Sequence, residues 1–541
     1  MALAALAGYV LLAFAYWGVR LLPHPGRFYV GTGTDPQIFI WSIGWWPHAL
    51  AHGLDAVHTH AIWAPEGENL AWTTSVPGLA LPFAPLTFLA GPVVSYNVAA
   101  ILMPPLAAWS AFLLCRYLTQ SVPASLVGGY LFGFSSFILA QFRGHLHMTS
   151  VFLLPLIALV VIRYVERDLD GRGLAVRLGP MLALQLGLST ENAFSFTLAL
   201  AVSIVLAFAL VPWARRRLVS LLAPLAASYA VAGVLAAPLL YYALEAFRSG
   251  SINNPQFFTT DLLNLVVPTP EILAGGRAAR GLSQHFPGND AERDAYLGIP
   301  VLAIIALYAF RRWRSTGGRL LLACFVVAVI ASFGALFTVD GKQHGTMPWE
   351  HVGYLPLFDN VLPSRLMLFA SLTAAIAVAS WMSTERRTWL HFALPALAVV
   401  SLIPNPSSAS FRTAAPVPAF FRGDDLRRCL RPQETVFTLP QAKPGNAMLW
   451  QAIGGYRFRL ADGYVAPSPP ASFYTSPAVA RIANGELSWR DLRLFARAKN
   501  VTTVLVDARR SRRWRKLLAP LPAPHERGGV LVYRFARARR C

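Results

Sequence analysis

The chain has 541 residues, of which 55% are hydrophobic and only 13% are charged, and its mean hydropathy is +0.47. This composition excludes an ordinary soluble domain and indicates a polytopic membrane protein. The formal net charge is +21, and the 21 arginines and three lysines from Ser401 onward, set against eight acidic residues, account for +16 of it. Such a surface favours anionic lipid headgroups or lipid phosphates.

Eleven apolar segments are predicted to cross a membrane. They are 2–19, 94–115, 123–141, 149–162, 178–190, 193–212, 218–243, 296–310, 320–338, 365–383 and 389–404. If the N-terminus is cytoplasmic, the arginine clusters between these segments all fall on the cytoplasmic side, as the positive-inside rule requires. The proline-rich segment 76–92 must then be a re-entrant or surface helix. In a bacterial cytoplasmic (inner) membrane this topology places the loop 20–93 and the C-terminal region outside, so nucleic acid is not an expected partner.

The chain changes character after Pro404. Residues 1–404 are predicted to form the membrane domain, whose first outer loop is 20–93. Residues 405–419, rich in Pro, Ser and Ala, are predicted to form a linker. Residues 420–541 are predicted to form a small, basic α/β domain outside the cytoplasm. Its elements are strands at Glu434–Leu439, Val501–Val506 and Gly529–Tyr533 and a helix at Leu487–Ala498.

Four cysteines are present, and none has the spacing of a metal site. Cys115 and Cys324 lie in hydrophobic runs and are interpreted as small apolar residues. Cys429 and Cys541 lie in the C-terminal domain, where an oxidising compartment would allow them to pair. The sequence leaves that pairing open.

Asp35 is the only acidic residue in the first 54 and begins an aromatic segment of the first outer loop. Four aromatic residues follow at helical spacing and predict a helix in the headgroup layer: Phe39, Trp41, Trp45 and Trp46. A carboxylate held at a membrane surface is costly unless it acts on something. The structural alternative is an N-cap, with Pro36 at the first helical position. Both interpretations can hold together.

Glu191 lies in a turn, Ser189–Asn192, that is predicted to be recessed because residues 178–212 must cross the membrane twice with few residues to spare. An acidic group at that depth should face a cavity and a partner. The alternative is that the turn only caps the second helix.

Several basic side chains are candidates for binding a phosphate. Arg143, His145 and His147 occupy one outer turn, and Arg365 begins a predicted span on the same side. Arginine and histidine donors suit a dianionic leaving group, although snorkelling to the interface is an equal explanation for Arg365. His48 and His52 have the spacing of a zinc pair, but a structural role is favoured for them because nothing nearby completes a site.

Five motifs in this order resemble the GT-C class of membrane glycosyltransferases, and more narrowly a group of bacterial GT-C-like proteins. They are Asp35-Pro-Gln-Ile-Phe-Ile-Trp41, Trp45-Trp-Pro-His-Ala-Leu50, Ile62-Trp-Ala-Pro-Glu-Gly-Glu-Asn-Leu70, Gly144-His-Leu-His147 and Pro363-Ser-Arg365. The resemblance implies an all-α polytopic membrane domain of about eleven spanning helices with interfacial or re-entrant helices, followed by the α/β domain. It covers most of the membrane part and does not specify the sugar.

The resemblance also implies an activity: transfer of a sugar from a polyprenyl-phosphate donor to a glycan, glycolipid or protein acceptor. The family's general base corresponds to Asp35, and Arg365 with Arg143 or His145 would stabilise the departing lipid phosphate. Many members have paired acidic residues here, whereas Pro36 follows Asp35 in this chain. Metal dependence is therefore left open: no cofactor is assigned, and a divalent cation remains an option. Glu66 and Glu68 are the candidates for a second acidic residue.

Two other classes of function are compatible with the sequence. A transporter or flippase for lipid-linked or polar envelope precursors would carry ionisable residues near mid-membrane and pseudo-symmetric halves. Here the ionisable groups gather at one rim of the predicted spans. A non-catalytic assembly protein would use the basic domain as its binding module. Only the enzyme requires the carboxylate of Asp35.

Overall fold

The computed structural model describes residues 1–245, 254–384, 388–408, 411–442, 445–465, 470, 473, 476–535 and 541. The chain forms two compact units. The helical unit consists of Met1–Pro23, Val98–Ala237 and Arg248–Arg412, and the sheet unit consists of His24–Asn97, Pro238–Phe247 and Thr413–Cys541. Most of the first outer loop therefore belongs to the same unit as the C-terminal region, and the predicted linker 405–419 is divided between the two units.

Helices occupy all eleven segments that were predicted as spans. They are Ala2–Ala13 (continued by a π-turn, Phe14–Gly18, and by Val19–Leu21), Pro92–Thr119, Val122–Gly133, Ser136–Gln141, Leu146–Thr149, Leu153–Val165, Gly171–Leu188, Thr190–Leu210, Arg215–Leu235, Ala237–Glu245, Ile299–Arg312, Thr316–Ser332, Met367–Met382 and Leu390–Ser401. Within the described residues, seven helical stretches are long and apolar enough to cross a membrane. The number of eleven crossings stays a prediction.

Shorter elements complete the helical unit. They are the helix Arg277–Ser283 and an antiparallel pair of strands, Leu336–Val339 and Lys342–Thr346. In the sheet unit, the segment predicted to be re-entrant forms two short helices, Pro77–Ala80 and Ala84–Ala90. Each of these helices is far shorter than the roughly 17 residues that a membrane crossing needs. The predicted topology, with all arginine clusters on the cytoplasmic side, likewise has no crossing at this segment.

Glycines allow two helices of the helical unit to approach closely. Gly129 and Gly133 stand four residues apart, and a Cβ on either would overlap Ala108 of the neighbouring helix. A small residue every fourth position is the usual means by which membrane helices bring their backbones together. Tyr9 packs at the same place, where its hydroxyl donates to the backbone carbonyl of Leu126 at 2.7 Å.

The sheet unit contains a five-stranded mixed sheet. In spatial order its strands are His525–Arg527, Val530–Arg534, Thr503–Asp507, Thr435–Leu439 and Arg459–Leu460. The last three are parallel and the first two are antiparallel additions. All three predicted strands are confirmed, as is the predicted helix, which spans Trp489–Ala498. The other helices of the unit are Asp35–Ala51, Asp425–Cys429, Ala447–Ile453, Pro477–Ala483 and Arg515–Leu518.

The aromatic helix Asp35–Ala51 lies in the core of the sheet unit, where its tryptophans pack against protein, and its predicted place in the headgroup layer stays a prediction. Trp41 is fully buried, and Trp45 and Trp46 are nearly so. The indole of Trp41 donates to the side chain of Gln451 at 2.7 Å. Because each indole N–H has a protein acceptor, these rings do not need the wet interface to satisfy their polar atom.

Two further links join distant parts of the sheet unit. A two-residue strand, Phe28–Tyr29, pairs antiparallel with Thr413–Ala414. Cys429 and Cys541 form a disulfide, the pairing that the sequence left open. The first outer loop and both ends of the C-terminal segment are thus part of one folded unit.

We expect Gly129→Ala to destabilise the helical unit, because the added methyl group must displace the backbone of Ala108. Overpacking of this kind costs about 1–3 kcal/mol. The measurement is thermal unfolding of the purified protein in detergent. Gly233→Ala is the matched control, since a Cβ at this helical glycine meets nothing within 4 Å and should be neutral or slightly stabilising. Equal melting temperatures for the two variants would contradict the close approach.

Candidate functional site

Arg365 is the centre of a buried ion-pair cluster in the helical unit. It lies in the short turn Pro363–Leu366, immediately before the helix Met367–Met382. Its Nη1 donates to Glu191 at 2.5 Å, and its Nε donates to Glu292 at 3.0 Å, with a second contact from Nη2 to the same carboxylate. Only 11% of its side chain is exposed. A phosphate would therefore have to replace one of two carboxylates to bind this guanidinium.

Gln141 connects the cluster to a second buried acid. Its Nε2 donates to Glu292 at 3.1 Å and to Asp294 at 3.2 Å, and its Oε1 lies 2.6 Å from Nδ1 of His145. Burial acts to raise the pKa of Glu292, but the charge and hydrogen bonds of Arg365 outweigh it and hold that pKa below its usual range. Burial and the charge of Glu292 raise the pKa of Asp294 well above its usual range, which favours its protonated form.

Arg143 forms a second ion pair in the same unit. Its Nη1 contacts the buried carboxylate of Glu271, and its Nη2 lies 3.5 Å from the half-exposed Asp290. The hydroxyl of Ser408 donates to the other oxygen of Glu271 at 2.7 Å. Arg143 is 24% exposed, and it is the more accessible of the two arginines that the sequence nominated.

The turn that carries Glu191 caps a helix and also brings the carboxylate of Glu191 to a charged partner. The hydroxyl of Ser189 accepts from the backbone N–H of Asn192 at 3.1 Å, so it caps the helix Thr190–Leu210. Asn192 donates to the backbone carbonyl of His147 at 3.0 Å, which joins this turn to the one that contains the two histidines. The cap orients Glu191, and Arg365 is the partner that its predicted depth required.

An apolar cavity of about 660 Å³ adjoins the Arg365 cluster within the helical unit. Leu366, next to Arg365, and Ser195, one helical turn beyond Glu191, line it at one end. Ser380 and Thr316 line it at the other. Leu366 and Ser380 are 14 positions apart along one helical stretch, which corresponds to about 20 Å of the lining. Its lining is almost entirely apolar, with Glu166 as the charged lining residue, and a long apolar space of this kind suits a hydrocarbon chain.

Asp35 lies in the sheet unit, at the first position of the helix Asp35–Ala51. The helix begins one residue earlier than predicted, and the preceding Thr34 makes no side-chain cap. The hydroxyl of Tyr464 donates to Oδ1 of Asp35 at 2.5 Å. Burial and the neighbouring carboxylate raise the pKa of Tyr464, so the phenol stays protonated and remains a donor. The carboxylate is half-buried and oriented by a residue 429 positions away in the chain.

Hydrogen bonds on both sides hold the beginning of this helix in place. Asn97 accepts from the backbone N–H of Val30 at 3.0 Å, and the hydroxyl of Tyr96 donates to the carbonyl of Val30 at 2.9 Å. Within the helix, Gln37 donates to Asn446 at 2.7 Å. The position of Asp35 is therefore set by several segments of the sheet unit.

The other acidic candidates of the first outer loop have structural surroundings. Glu66 forms an ion pair of 2.6 Å with Lys499. Glu68 is buried in a two-residue strand, Glu68–Asn69, that pairs with His58–Thr59. The role of either residue as the acidic partner of Asp35 stays a prediction.

The paired histidines of the aromatic helix are consistent with a structural role. The rings of His48 and His52 lie 4.2 Å apart, and Nδ1 of His52 lies 2.8 Å from the carbonyl oxygen of His48. Burial and the charge of His52 lower the pKa of His48 to about 4, so it is neutral at physiological pH. In the described part of the chain, no group of three or more His, Cys, Asp or Glu side chains is placed to bind a metal ion, and we assign no metal ligands.

The sequence nominated some members of the Arg365 cluster and missed others. The structure brings Arg143, His145, His147, Glu191 and Arg365 to one region of the helical unit. The missed members are Gln141, Glu271, Glu292 and Asp294, together with Tyr464 at the other site. One signal was available: three carboxylates fall within residues 290–294 of a chain that has only 26 acidic residues.

The fold is shared with solved membrane glycosyltransferases of the GT-C class. One is the archaeal oligosaccharyltransferase AglB from Archaeoglobus fulgidus, in complex with an inhibitory peptide and a dolichol-phosphate; it is 13% identical, with a TM-score of 0.55, over 94% of this chain and 69% of AglB. Another is the arabinofuranosyltransferase AftD from Mycobacteria, which is 14% identical, with a TM-score of 0.57, over 99% of this chain and 40% of AftD. The chain therefore has the GT-C fold, with a helical membrane part and a small C-terminal sheet.

A family model matches residues 5–403, and the chain belongs to that family, which is described as Domain of unknown function (DUF6311). No curated protein matches the chain. The family match covers the predicted spans except for residues 2–4 and 404, and it ends before the sheet strands of the C-terminal segment.

We expect Asp294→Asn to stabilise the protein at neutral pH. A carboxyl whose pKa is raised by folding opposes folding once the pH exceeds its unfolded value, about 3.9 for aspartate. The gain should therefore be largest at neutral pH and should shrink as the pH falls towards 4. The measurement is unfolding in detergent across this pH range. Asp290→Asn, at a half-exposed site in the same loop, is the control and should change little. A less stable Asp294→Asn protein at pH 7 would contradict the assignment.

Proposed function

We propose that this protein transfers a sugar from a polyprenyl-phosphate donor to a hydroxyl-bearing acceptor, a glycan, glycolipid or protein of the cell envelope. The fold supports this reading, since AglB is an oligosaccharyltransferase and AftD an arabinofuranosyltransferase by name. The AglB structure also contains a dolichol-phosphate, which is a lipid-linked phosphate of the proposed donor class. Whether the sugar is a hexose or a pentose, and which acceptor receives it, is not assigned.

Asp35 is the proposed general base, and its contact with Tyr464 is the observation that carries the proposal. A base must be held within hydrogen-bonding reach of the proton it accepts. Here the phenol orients the carboxylate, which would accept the proton of the acceptor hydroxyl. As the oxygen of the acceptor hydroxyl attacks the anomeric carbon of the donor sugar, the bond between this carbon and the phosphate oxygen breaks. The electron pair leaves with the lipid phosphate.

The donor is proposed to occupy the helical unit. Its hydrocarbon chain would lie in the apolar cavity, and its polar head would lie at the Arg365 cluster. Arg143 and His145 would contact the phosphate, while Glu191 accepts from hydroxyl groups of the sugar. Arg365 would hold the carboxylates in place, and its own contact with phosphate would require exchange of one partner. His147 is proposed to support this turn through its backbone contact with Asn192.

We place the sheet unit outside the cytoplasm of a bacterial cell, at the outer face of the cytoplasmic membrane. The disulfide between Cys429 and Cys541 supports this, since such bonds persist in oxidising compartments. The arginine clusters of the short connectors support the same topology through the positive-inside rule. Lipid-linked donors and acceptors of the envelope are both accessible at this face.

We expect Asp35→Asn to slow transfer by roughly a hundredfold or more, because the variant lacks the basic lone pair. Folding and donor binding should change little. The assay is transfer in proteoliposomes supplied with a panel of polyprenyl-phosphate sugars and envelope-lipid acceptors. Asp55→Asn is the matched control, since Asp55 is an exposed carboxylate of the same loop that accepts from two backbone N–H groups. If Asp35→Asn transfers sugar as fast as wild type does, the mechanism is wrong.

Tyr464→Phe should lower the turnover number by about tenfold to a hundredfold, since a hydrogen bond to a charged group is worth about 1.5–3 kcal/mol. The KM for the acceptor should change less than kcat, because the hydroxyl acts on Asp35 and not on the substrate. Tyr242→Phe is the control, since this tyrosine donates to Asp55 at 2.9 Å in the same unit. A wild-type rate for Tyr464→Phe together with an inactive Asp35→Asn would reject only the role of Tyr464.

A further inference from the structure

The segment Asp507–Leu518 of the sheet unit presents a dense row of positive charge. It follows a central strand of the sheet as a 3₁₀ turn, Ala508–Trp514, and then the short helix Arg515–Leu518. Trp514 and Leu518 are buried in the core of the unit. Six cations point the other way and are exposed: Arg509, Arg510, Arg512, Arg513, Arg515 and Lys516. We call these six side chains the basic ridge.

Most of this charge is not compensated within the protein. Arg509 pairs with Asp507 at 3.1 Å. Among the described residues, the other five cations have no ion pair and no side-chain hydrogen bond. Elsewhere in the unit, by contrast, Arg481 pairs with Asp491 and Arg534 pairs with Glu434. Six cations thus lie within the eight residues 509–516, on a segment that is anchored to the core.

We propose that the basic ridge is a docking surface for the phosphate groups of anionic lipids at the surface of a bilayer. Exposed arginines next to a membrane attract acidic headgroups, and each contributes to binding independently of any specific pocket. The cations are held on a rigid anchor, so little conformational entropy is lost on contact. A bilayer is favoured over nucleic acid because the same chain carries seven helices, within its described residues, that are long and apolar enough to cross one. This proposal is independent of the proposed sugar transfer.

The test uses the full-length protein in nanodiscs of neutral phosphatidylcholine, so that its own bilayer offers no anionic lipid. Binding is measured by co-flotation with vesicles that contain either phosphatidylglycerol or phosphatidylcholine alone. Wild type should bind the phosphatidylglycerol vesicles, and binding should fall as salt is raised. The triple variant Arg510→Gln, Arg512→Gln and Arg515→Gln should bind at least about tenfold more weakly.

A second triple variant is the matched control, with the same loss of charge on other exposed arginines of the unit: Arg427→Gln, Arg493→Gln and Arg497→Gln. It should retain most of the binding. Equal loss in both variants would show that only net charge matters and would overturn the ridge as a site. Binding to phosphatidylcholine vesicles as strong as to phosphatidylglycerol vesicles, or no binding to either, would overturn it too. Tighter retention on duplex DNA than on anionic vesicles would replace the bilayer with nucleic acid as the partner.

Discussion

The burial of the helix Asp35–Ala51 in the core of the sheet unit is the contact on which the Asp35 site depends. A buried indole needs a hydrogen-bond acceptor, and Gln451 supplies one to Trp41. Gln451 in turn donates to two backbone carbonyls, so both ends of its amide are satisfied. The hydroxyl of Tyr456 donates to the carbonyl of Trp41 at 2.6 Å. These contacts set the rotation and the depth of the helix, and with them the position of its first residue, Asp35.

Charge compensation has the corresponding role in the helical unit. A guanidinium as buried as that of Arg365 is tolerated only when it is paired and hydrogen-bonded. Glu191 and Glu292 provide this pairing from two distant segments, and burial beside Glu292 raises the pKa of Asp294, the third carboxyl group. The cluster thereby stabilises the segments that meet beside the apolar cavity. Aromatic packing thus positions the candidate side chain of the sheet unit, whereas ion pairing positions the candidate side chains of the helical unit.

Much of the fold could be predicted because its signals are local. Hydrophobic runs located helices in all eleven predicted spans, and β-branched runs located the three predicted strands. The surroundings of the aromatic helix could not be predicted, because tryptophans at helical spacing have the same pattern in a headgroup layer and in a protein core. What distinguishes a headgroup layer from a protein core is the segment that packs against the tryptophans. Here that partner is the C-terminal segment, about 400 residues further along the chain.

The candidate site was predicted only in part, because residue types are visible in the sequence whereas their long-range partners are not. Charged residues in outer turns are visible in the sequence, so Asp35, Arg143, Glu191 and Arg365 could be nominated from their types and positions. Their partners could not, because Arg365 meets Glu191 across 174 residues and Tyr464 meets Asp35 across 429. The sequence by itself determined that this is a membrane protein with a basic C-terminal domain, since hydropathy and charge are properties of local composition. Only the tertiary structure decided which carboxylate pairs with which arginine or tyrosine, because those pairings depend on how the whole chain folds.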